Sequence, residues 1–598
     1  MNEQRLSPEE KELLDEIYAR LTDWEKECRT YHDAARTMRL VMARKDPEQD
    51  STQGGEKTLQ LHTLANTVQN CVAEQMERMP EAKLIPEVPE NAELAETLQD
   101  IVHHVIYNVN GFDAVHRRRM EDFFVTGTSI LQVAWDPEMN RGEGDIALIR
   151  WPIEAFLWDP QAEDIQDARA LMKLSWHPLT WFEDHYPEAA PYIRSEEGEY
   201  NRVGMPDSQE KAGSNERRAM LIEYWYRTYD AASRRHAINV AYAAGGALIR
   251  SDLDVYAHGE YPFVVDAHST IEGQPIGEGL VSEFRVMMQY INRYQRYIDT
   301  NLRMSSKGRM LVRRNAGIDP GQLADWSRDT IEADQIVRGD AWEWLAHPPL
   351  NGMTYTQVQT METALAQDAG VSSVMRGVLP SDYASGKAVT ALQETGSKVS
   401  NLKTAGLRAG FRKVVEQMLW LMAQFYKTER VALIVGEDGK TSATHFKPQD
   451  FFTGKSPKTP PPYLVQIEIN NRNPLRIDQQ NEMFMQAYTM AAQAQQQFPL
   501  SVLFSLLNIE GKDRVLPVIR ETEAQRAQME QMQAQMEQMQ AQMAQSQQEN
   551  EALKRSGREM ASALGQIGAP GGMGDLAGMK HAEGAPEGAP GGMPGMGW

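Results

Sequence analysis

Between Glu278 and Lys307, seven apolar residues recur at helical spacing: Leu280, Phe284, Met287, Ile291, Tyr294, Ile298 and Leu302. At about 100° per residue they fall in one narrow sector, with Arg285, Arg293, Arg296, Arg303 and Lys307 on the other side. A helix of this length is a rod of about 40 Å. Its apolar stripe demands a partner, and a second helix, predicted from about Thr354 to Asp368, could pack back against it. Between the two lies a compact segment from Gly308 to Pro349, with a basic strand Met310-Leu311-Val312-Arg313-Arg314. The arginine side has two readings: a solvated or neighbour-paired face, or the wall of a passage for a polyanion.

The flanking regions have other periods. Ser7-Pro8-Glu9-Glu10 reads as a capping box with proline in the first turn, opening a helix to about Arg44. A second helix is predicted from Thr58 to Met79, then a linker marked by Pro80, Pro86 and Pro89. A third helix runs from about Ala92 to Val109 and stops at Asn110-Gly111. From Ser129 the pattern turns to strands: Ser129 to Trp135 and Asp145 to Trp151 form a hairpin, followed by strand runs at Ala219 to Tyr229, Ala237 to Ala243 and Tyr261 to Val265. Ser195 to Asn215 reads as a surface loop. The pattern is that of an α+β region closing near residue 270 in a mainly helical chain. Further on, Gly370 to Gly386 is helix-breaking, and a long helix is predicted from about Lys387 to Lys427. Strands follow at Arg430 to Val435 and Tyr463 to Ile469, then helices from about Arg476 to Gln497 and around Leu500 to Leu507.

The last part changes character. The heptad QMEQMQA (Gln528 to Ala534) repeats without change over Gln535 to Ala541, placing Met529, Met532, Met536, Met539 and Met543 at a and d positions. Methionine there gives a soft seam that does not fix a partner number. The heptad region extends over 521–567. Twelve glycines and four prolines among residues 565–598 predict a disordered tail over 568–598.

Charge and chemistry narrow the function. With 61 Lys+Arg against 84 Asp+Glu, the 598-residue chain carries −23, which argues against tight non-specific wrapping of nucleic acid. Two cysteines, Cys28 and Cys71, cannot build a disulfide framework or a four-cysteine zinc site. The N-terminus lacks a signal-peptide pattern, and no apolar run is long enough to span a membrane. Gly436-x-x-Gly439-Lys440-Thr441 looks like the end of a phosphate loop, but that motif needs four residues between its glycines. Asp438-Gly439 after a strand is a hairpin signal instead. His103-His104 sit on different helix faces, and Glu183-Asp184-His185 reads as a solvated cluster. Arg117-Arg118-Arg119 reads as a polar helix face. There is no zinc-protease or nucleophile-elbow motif, so no catalytic residue, metal ligand or cofactor is expected.

The order of parts resembles the portal proteins of tailed bacteriophages, of the short-tailed-phage type. The resemblance rests on GTSILQVAWDPEMNRGEGDIALIRWPIEAFLWDPQAEDIQDARAL (Gly127 to Leu171) and on the glycine loop IEGQPIGEGL (Ile271 to Leu280) opening the long helix. It rests also on the insert GRMLVRRNAGID (Gly308 to Asp319) and on GVLPSDYASGKAVTALQETGSK (Gly377 to Lys398). It spans about Glu10 to Gln497. It implies a wing over 1–270 and 387–475, stem helices at 271–307 and 351–369, and a clip at 308–350. It further implies a tunnel loop at 370–386 and a crown at 476–520, before the heptad helix. The implied assembly is a ring, usually of twelve chains, at one capsid vertex, through which double-stranded DNA passes. Its partners would be the packaging ATPase (terminase), capsid proteins and tail adaptors. On this reading Arg285, Arg293, Arg296, Arg303, Lys307 and Lys387 are candidates for the DNA channel, and Arg309, Arg313 and Arg314 for docking at the clip. The alternative is a coiled-coil scaffold or adaptor, assembled through the methionine heptads, with no DNA conduit role.

Overall fold

The computed structural model describes residues 4–43, 52–53, 56–57, 61–88, 91–195, 217–231, 234–306, 309–312, 319, 342–345, 352–371, 402, 404–427, 429–435, 441–447, 451, 461–471, 474–493, 499–507 and 512–564. These fall in two compact units, residues 1–486 and 487–598.

In the first unit, helix α1 (Pro8–Met42) begins with the expected capping box. Ser7 Oγ accepts from the Glu10 amide at 3.2 Å, and the Glu10 carboxylate accepts from the Ser7 amide at 2.8 Å. Of its buried face, Ile17, Leu21, Trp24, Cys28 and Ala35 share a core with the strands, while Met38 joins a second, helical core. Next come α2 (Thr63–Met76), strand β1 (Arg78–Pro86), α3 (Ala92–His103) with a π-helical turn over His104–Val109, and α4 (Phe112–Val125). Gly111, between the last two, has φ +54°, a left-handed cap for which glycine is suited.

The predicted hairpin is present. Strands β2 (Thr128–Asp136) and β3 (Asp145–Trp151) pair in antiparallel register from Ile130 opposite Trp151 to Asp136 opposite Asp145. A five-stranded antiparallel sheet follows, built from β4 (Phe156–Trp158), β5 (Ala170–Pro178), β6 (Arg218–Asp230), β7 (Arg235–Ala244) and β8 (Ala247–Asp252) in spatial order 8-7-6-5-4. Strand β9 (Phe263–Ala267) returns to the other edge of β2, completing a three-stranded sheet. The loop expected at Ser195 to Asn215 lies almost wholly outside the described residues.

The rod is α5 (Leu280–Ser306), followed by strand β10 (Arg309–Val312) paired with β11 (Trp342–Leu345), and then α6 (Gly352–Asp368). Helix α7 (Ala405–Phe425) leads into β12 (Arg430–Val435), which pairs with β13 (Thr441–Phe446) so that Val435 faces Thr441. A strand begins where a phosphate loop would begin a helix. The tips of this hairpin, and the helix-breaking stretch over 372–386, lie outside the described residues.

Two expectations change. The α+β region does not close near residue 270. Phe411, Val414, Val415, Met418, Leu421 and Met422 of α7 lie in the same core as α1, α3 and both sheets. A periodic stripe says that a helix is buried, not how far along the chain its partner lies. Pro80 and Pro86 belong not to a linker but to β1, which pairs with β14 (Tyr463–Asn471) over nine residue pairs, Pro80 opposite Ile469 and Pro86 opposite Tyr463; Pro89 lies outside the described residues. In a two-stranded ribbon, many backbone N–H groups face away from the partner, so proline's missing donor is tolerated.

Helix α8 (Pro474–Gln493) follows β14. In the second unit, α9 (Leu500–Leu506) packs beside α10 (Lys512–Leu564), with Leu503, Leu507 and Leu516 buried and Glu523 Oε1 accepting from the Ser501 amide at 3.0 Å. At 53 residues, α10 is a rod of about 80 Å. No helix among the described residues is long and apolar enough to cross a membrane.

Candidate functional site

The rod is rooted by backbone packed closer than side chains allow. A Cβ on Gly279 would lie 2.5 Å from the Val125 carbonyl oxygen, and one on Gly277 would lie 2.8 Å from that of Gly127. Gly127 itself, at φ +83°, presses against the Gly277–Gly279 backbone. Thr128 Oγ1 accepts from the Gly277 amide at 3.0 Å, and the His268 amide donates to the Gly127 carbonyl at 2.9 Å. The glycine loop thus clasps the start of α5 to the turn between α4 and β2. A side chain at any of the three would push the rod off its seat.

The inward face of α5 follows the sequence pattern. Leu280, Phe284, Ile291 and Ile298 are buried with Val281 and Met288, against Leu64 and Val68 of α2, Phe123 and Phe124 of α4, and Val358 and Leu365 of α6. Met287 and Tyr294 are half-buried. Leu302 departs from the expectation: in the last turn it is 62% exposed, and Met353 and Tyr355 at the start of α6 are 74 and 58% exposed. No element among the described residues covers them, and periodicity cannot register where a partner stops.

The outer face is not one arginine stripe. Arg285 and Arg296, both half-buried, lie on one row. Roughly 100° further round, Val286, Tyr290, Arg293 and Tyr297 form a second. Val286, Tyr290 and Tyr297 are 59, 44 and 55% exposed, and the Arg293 guanidinium sits over the Tyr290 ring at 5.0 Å. The predicted candidates thus divide: Arg293 belongs to an aromatic row, Arg285 and Arg296 to a basic one. Arg309 lies on β10 with its backbone opposite Leu345. The Arg303 side chain, Lys307, Arg313, Arg314 and Lys387 fall outside what is described.

The arginine triplet also needs correcting. Arg117 pairs with Glu121 on the surface at 3.3 Å, but Arg119 is fully buried and paired with Asp266 of β9. Gly410 on α7 leaves the space that Asp266 occupies, since a Cβ there would overlap its carboxylate. A second buried network joins α1 to the hairpin. Arg39 donates to Glu154 at 2.6 Å and reaches Asp122 at 3.0 Å, and Arg150 donates to the same Asp122 at 2.6 Å. Burial alone would raise the Glu154 carboxyl, but Arg39 beside it holds it below the usual range. Sequence gave no sign of these pairs, because their members lie far apart along the chain.

Among the described residues no group of His, Cys, Asp or Glu could hold a metal ion. Cys28 and Cys71 are both buried and neither is in a disulfide, and burial pushes the Cys28 thiol up to about 12. His185 of the Glu183-Asp184-His185 cluster stacks on Trp181 at 4.3 Å and carries no acid–base partner of that cluster among the described contacts.

These features define a structural class: an α+β body carrying a clasped pair of helices with two distinct exposed rows. The family model described as phage P22-like portal protein matches residues 12–563, and the chain belongs to that family. No curated protein matches it. The chain is also similar to chains of three solved particles. The neck of an empty gene transfer agent (GTA) particle, computed with C6 symmetry, matches at 11% identity and TM-score 0.34. The virion of a native GTA particle matches at 11% and 0.32, and the native GTA neck computed with C12 symmetry at 10% and 0.31. In each case 60% of this chain and 78% of the other is covered.

Proposed function

We propose that this portal protein closes into a ring of twelve copies at one capsid vertex. The ring is the conduit for DNA entering and leaving the capsid. It is also the platform on which the packaging ATPase, and later the tail adaptors, dock through the region of Arg309, Arg313 and Arg314. The observation that carries the reading is the division of the α5 surface into two rows. A helix in a ring wall needs one face for its own chain, one for a neighbour and one for the bore. Tyrosine and arginine are enriched where proteins meet, which suits Val286, Tyr290, Arg293 and Tyr297 to the adjacent copy. The row of Arg285 and Arg296, continued in sequence by Arg303 and Lys307, with Lys387 on the following segment, then faces the bore. A heterologous contact repeated around a closed rotation makes such a ring. Chains of −23 each repel DNA from the wall except at these bands, which keeps contacts weak and salt-sensitive. ATP hydrolysis is supplied by the partner.

The test makes two charge reversals singly. Arg293→Glu should abolish or destabilise rings seen by electron microscopy. Arg296→Glu should leave rings intact and impair DNA packaging. Intact rings with normal packaging in both variants, or loss of rings in Arg296→Glu alone, overturns the assignment of rows.

A further inference from the structure

A small cavity of about 30 Å³ opens where α2, β1, α4 and α7 converge, lined by Gln75, Arg78, Pro80, His116, Arg119, Thr404, Leu407 and Arg408. Three of these lining side chains carry buried polar atoms with no hydrogen-bond partner among the described residues: Gln75 Nε2, His116 Nδ1 and Arg119 Nη1, on residues 7, 4 and 0% exposed. Leaving such groups unpaired is costly, above all a guanidinium N–H. Two of the three are donors only. Arg119 spends its other nitrogens on Asp266 and Ser129, and Arg78 is paired with Glu74 at 3.0 Å. Arg408, exposed on the cavity lining, adds a positive charge that no acidic side chain pairs among the described residues. The first turn of the 21-residue helix α7 adds the positive end of its dipole.

We infer that this cavity holds one small inorganic anion of about chloride size, bound by Arg119, Gln75 and His116 with Arg408 at its entrance. A water has about the right volume, but it accepts at most two hydrogen bonds and must place two hydrogens. An anion accepts from every donor and needs none returned. Burial first and Arg119 second push His116 down to about 3 and keep it neutral, so its Nδ1 adds no charge and donates to the ion in the Nδ1–H tautomer that binding would select. The bound ion would staple α7 to α2 and α4 beside the Arg119–Asp266 pair. The inference does not depend on the portal reading.

The test uses the full-length protein, melted in sodium chloride and in sodium gluconate at equal ionic strength. Chloride should raise the melting temperature saturably, by about 1 °C or more at ten times its dissociation constant. Gln75→Leu, which keeps the volume and removes the donor, should erase that difference. Arg408→Ala, a surface change, should move the chloride titration several-fold to higher concentration. Crystals soaked in bromide should show an anomalous peak within reach of Arg119 Nη1. Equal melting in the two salts, an undiminished chloride effect in Gln75→Leu, or an ordered water with no bromide peak overturns the proposal.

Discussion

Helices α5 and α10 carry the same kind of signal and meet different fates. Both repeat apolar residues every three or four positions. In α5 the stripe is Leu, Phe and Ile, and most of it is buried against α2, α4 and α6 of its own chain. In α10 the stripe is methionine, and Met529, Met532, Met536, Met539 and Met543 remain 58–61% exposed. Periodicity therefore fixes that a face is apolar, not what covers it. Large branched and aromatic side chains fill a defined seat, whereas methionine adapts to whatever arrives. The architecture of the first unit rests on α5's kind of contact, and a set of perturbations can break that contrast or sharpen it.

The largest effect should come from Arg119→Met. It leaves the Asp266 carboxylate buried beside Gly410 without its partner, and breaking a buried pair in this way costs about 3–5 kcal/mol. Thermal unfolding of the full chain should show the first unit melting many degrees lower, or little soluble protein. An unchanged melting curve would mean that Asp266 is neutral in the folded state.

Next in size is pH. His32, His116 and His258 are held down to about 4, 3 and 4, in each case mainly by burial. Their folded pKa values lie below the unfolded value, so between about pH 3 and 6.5 the unfolded chain binds more protons, and stability falls as pH falls. Each contributes up to about 1.4 kcal/mol per pH unit. Lowering pH from 7 to 5.5 should cost the first unit about 3 kcal/mol in all, while α10 keeps its helical circular-dichroism signal. Equal losses in both regions would erase the contrast. Glu154, held low by Arg39, extends the acid loss below the ordinary carboxylate range.

A smaller effect is expected at the root of the rod. Gly127→Ala forces a Cβ at φ +83° and into the Gly277–Gly279 backbone. The backbone strain alone is worth about 1–2 kcal/mol. Limited proteolysis should then cut near residues 271–280 faster than in the wild type. Unaltered protection would show that the clasp yields without releasing α5.

Much of this was legible in the sequence. The capping box, the β2–β3 hairpin and the buried side of α5 followed from local chemistry: a serine with glutamate three residues on, a period of two, a period of 3.6. What stayed hidden was non-local. Nothing near Pro80 signals a partner strand at Tyr463–Asn471, and nothing near Arg119 signals Asp266, 147 residues away. The two rows on α5 were readable in principle, since Val286, Tyr290, Arg293 and Tyr297 follow their own 4-3-4 spacing. Charge alone groups all the basic residues on one side of α5; only their angular positions separate Arg293 from Arg285 and Arg296.

The smallest effect should follow removal of the methionine helix. Cutting the chain after Arg526 keeps the Glu523 cap on Ser501 and deletes every methionine of the repeated heptads. A soft seam whose members are mostly exposed in the single chain contributes only what other copies bring to it. Ring closure through α5 would use stiffer apolar and aromatic area outside that seam. Mass photometry of the truncated protein should therefore show rings of the same number of subunits as the full chain, each subunit lighter by the deleted residues, with at most a few-fold change in the concentration needed for assembly. Only monomers in the truncated protein, beside rings in the full-length protein, would reverse the comparison. The methionine heptads would then be the contact that closes the assembly, and the exposed tyrosine row of α5 would need another partner.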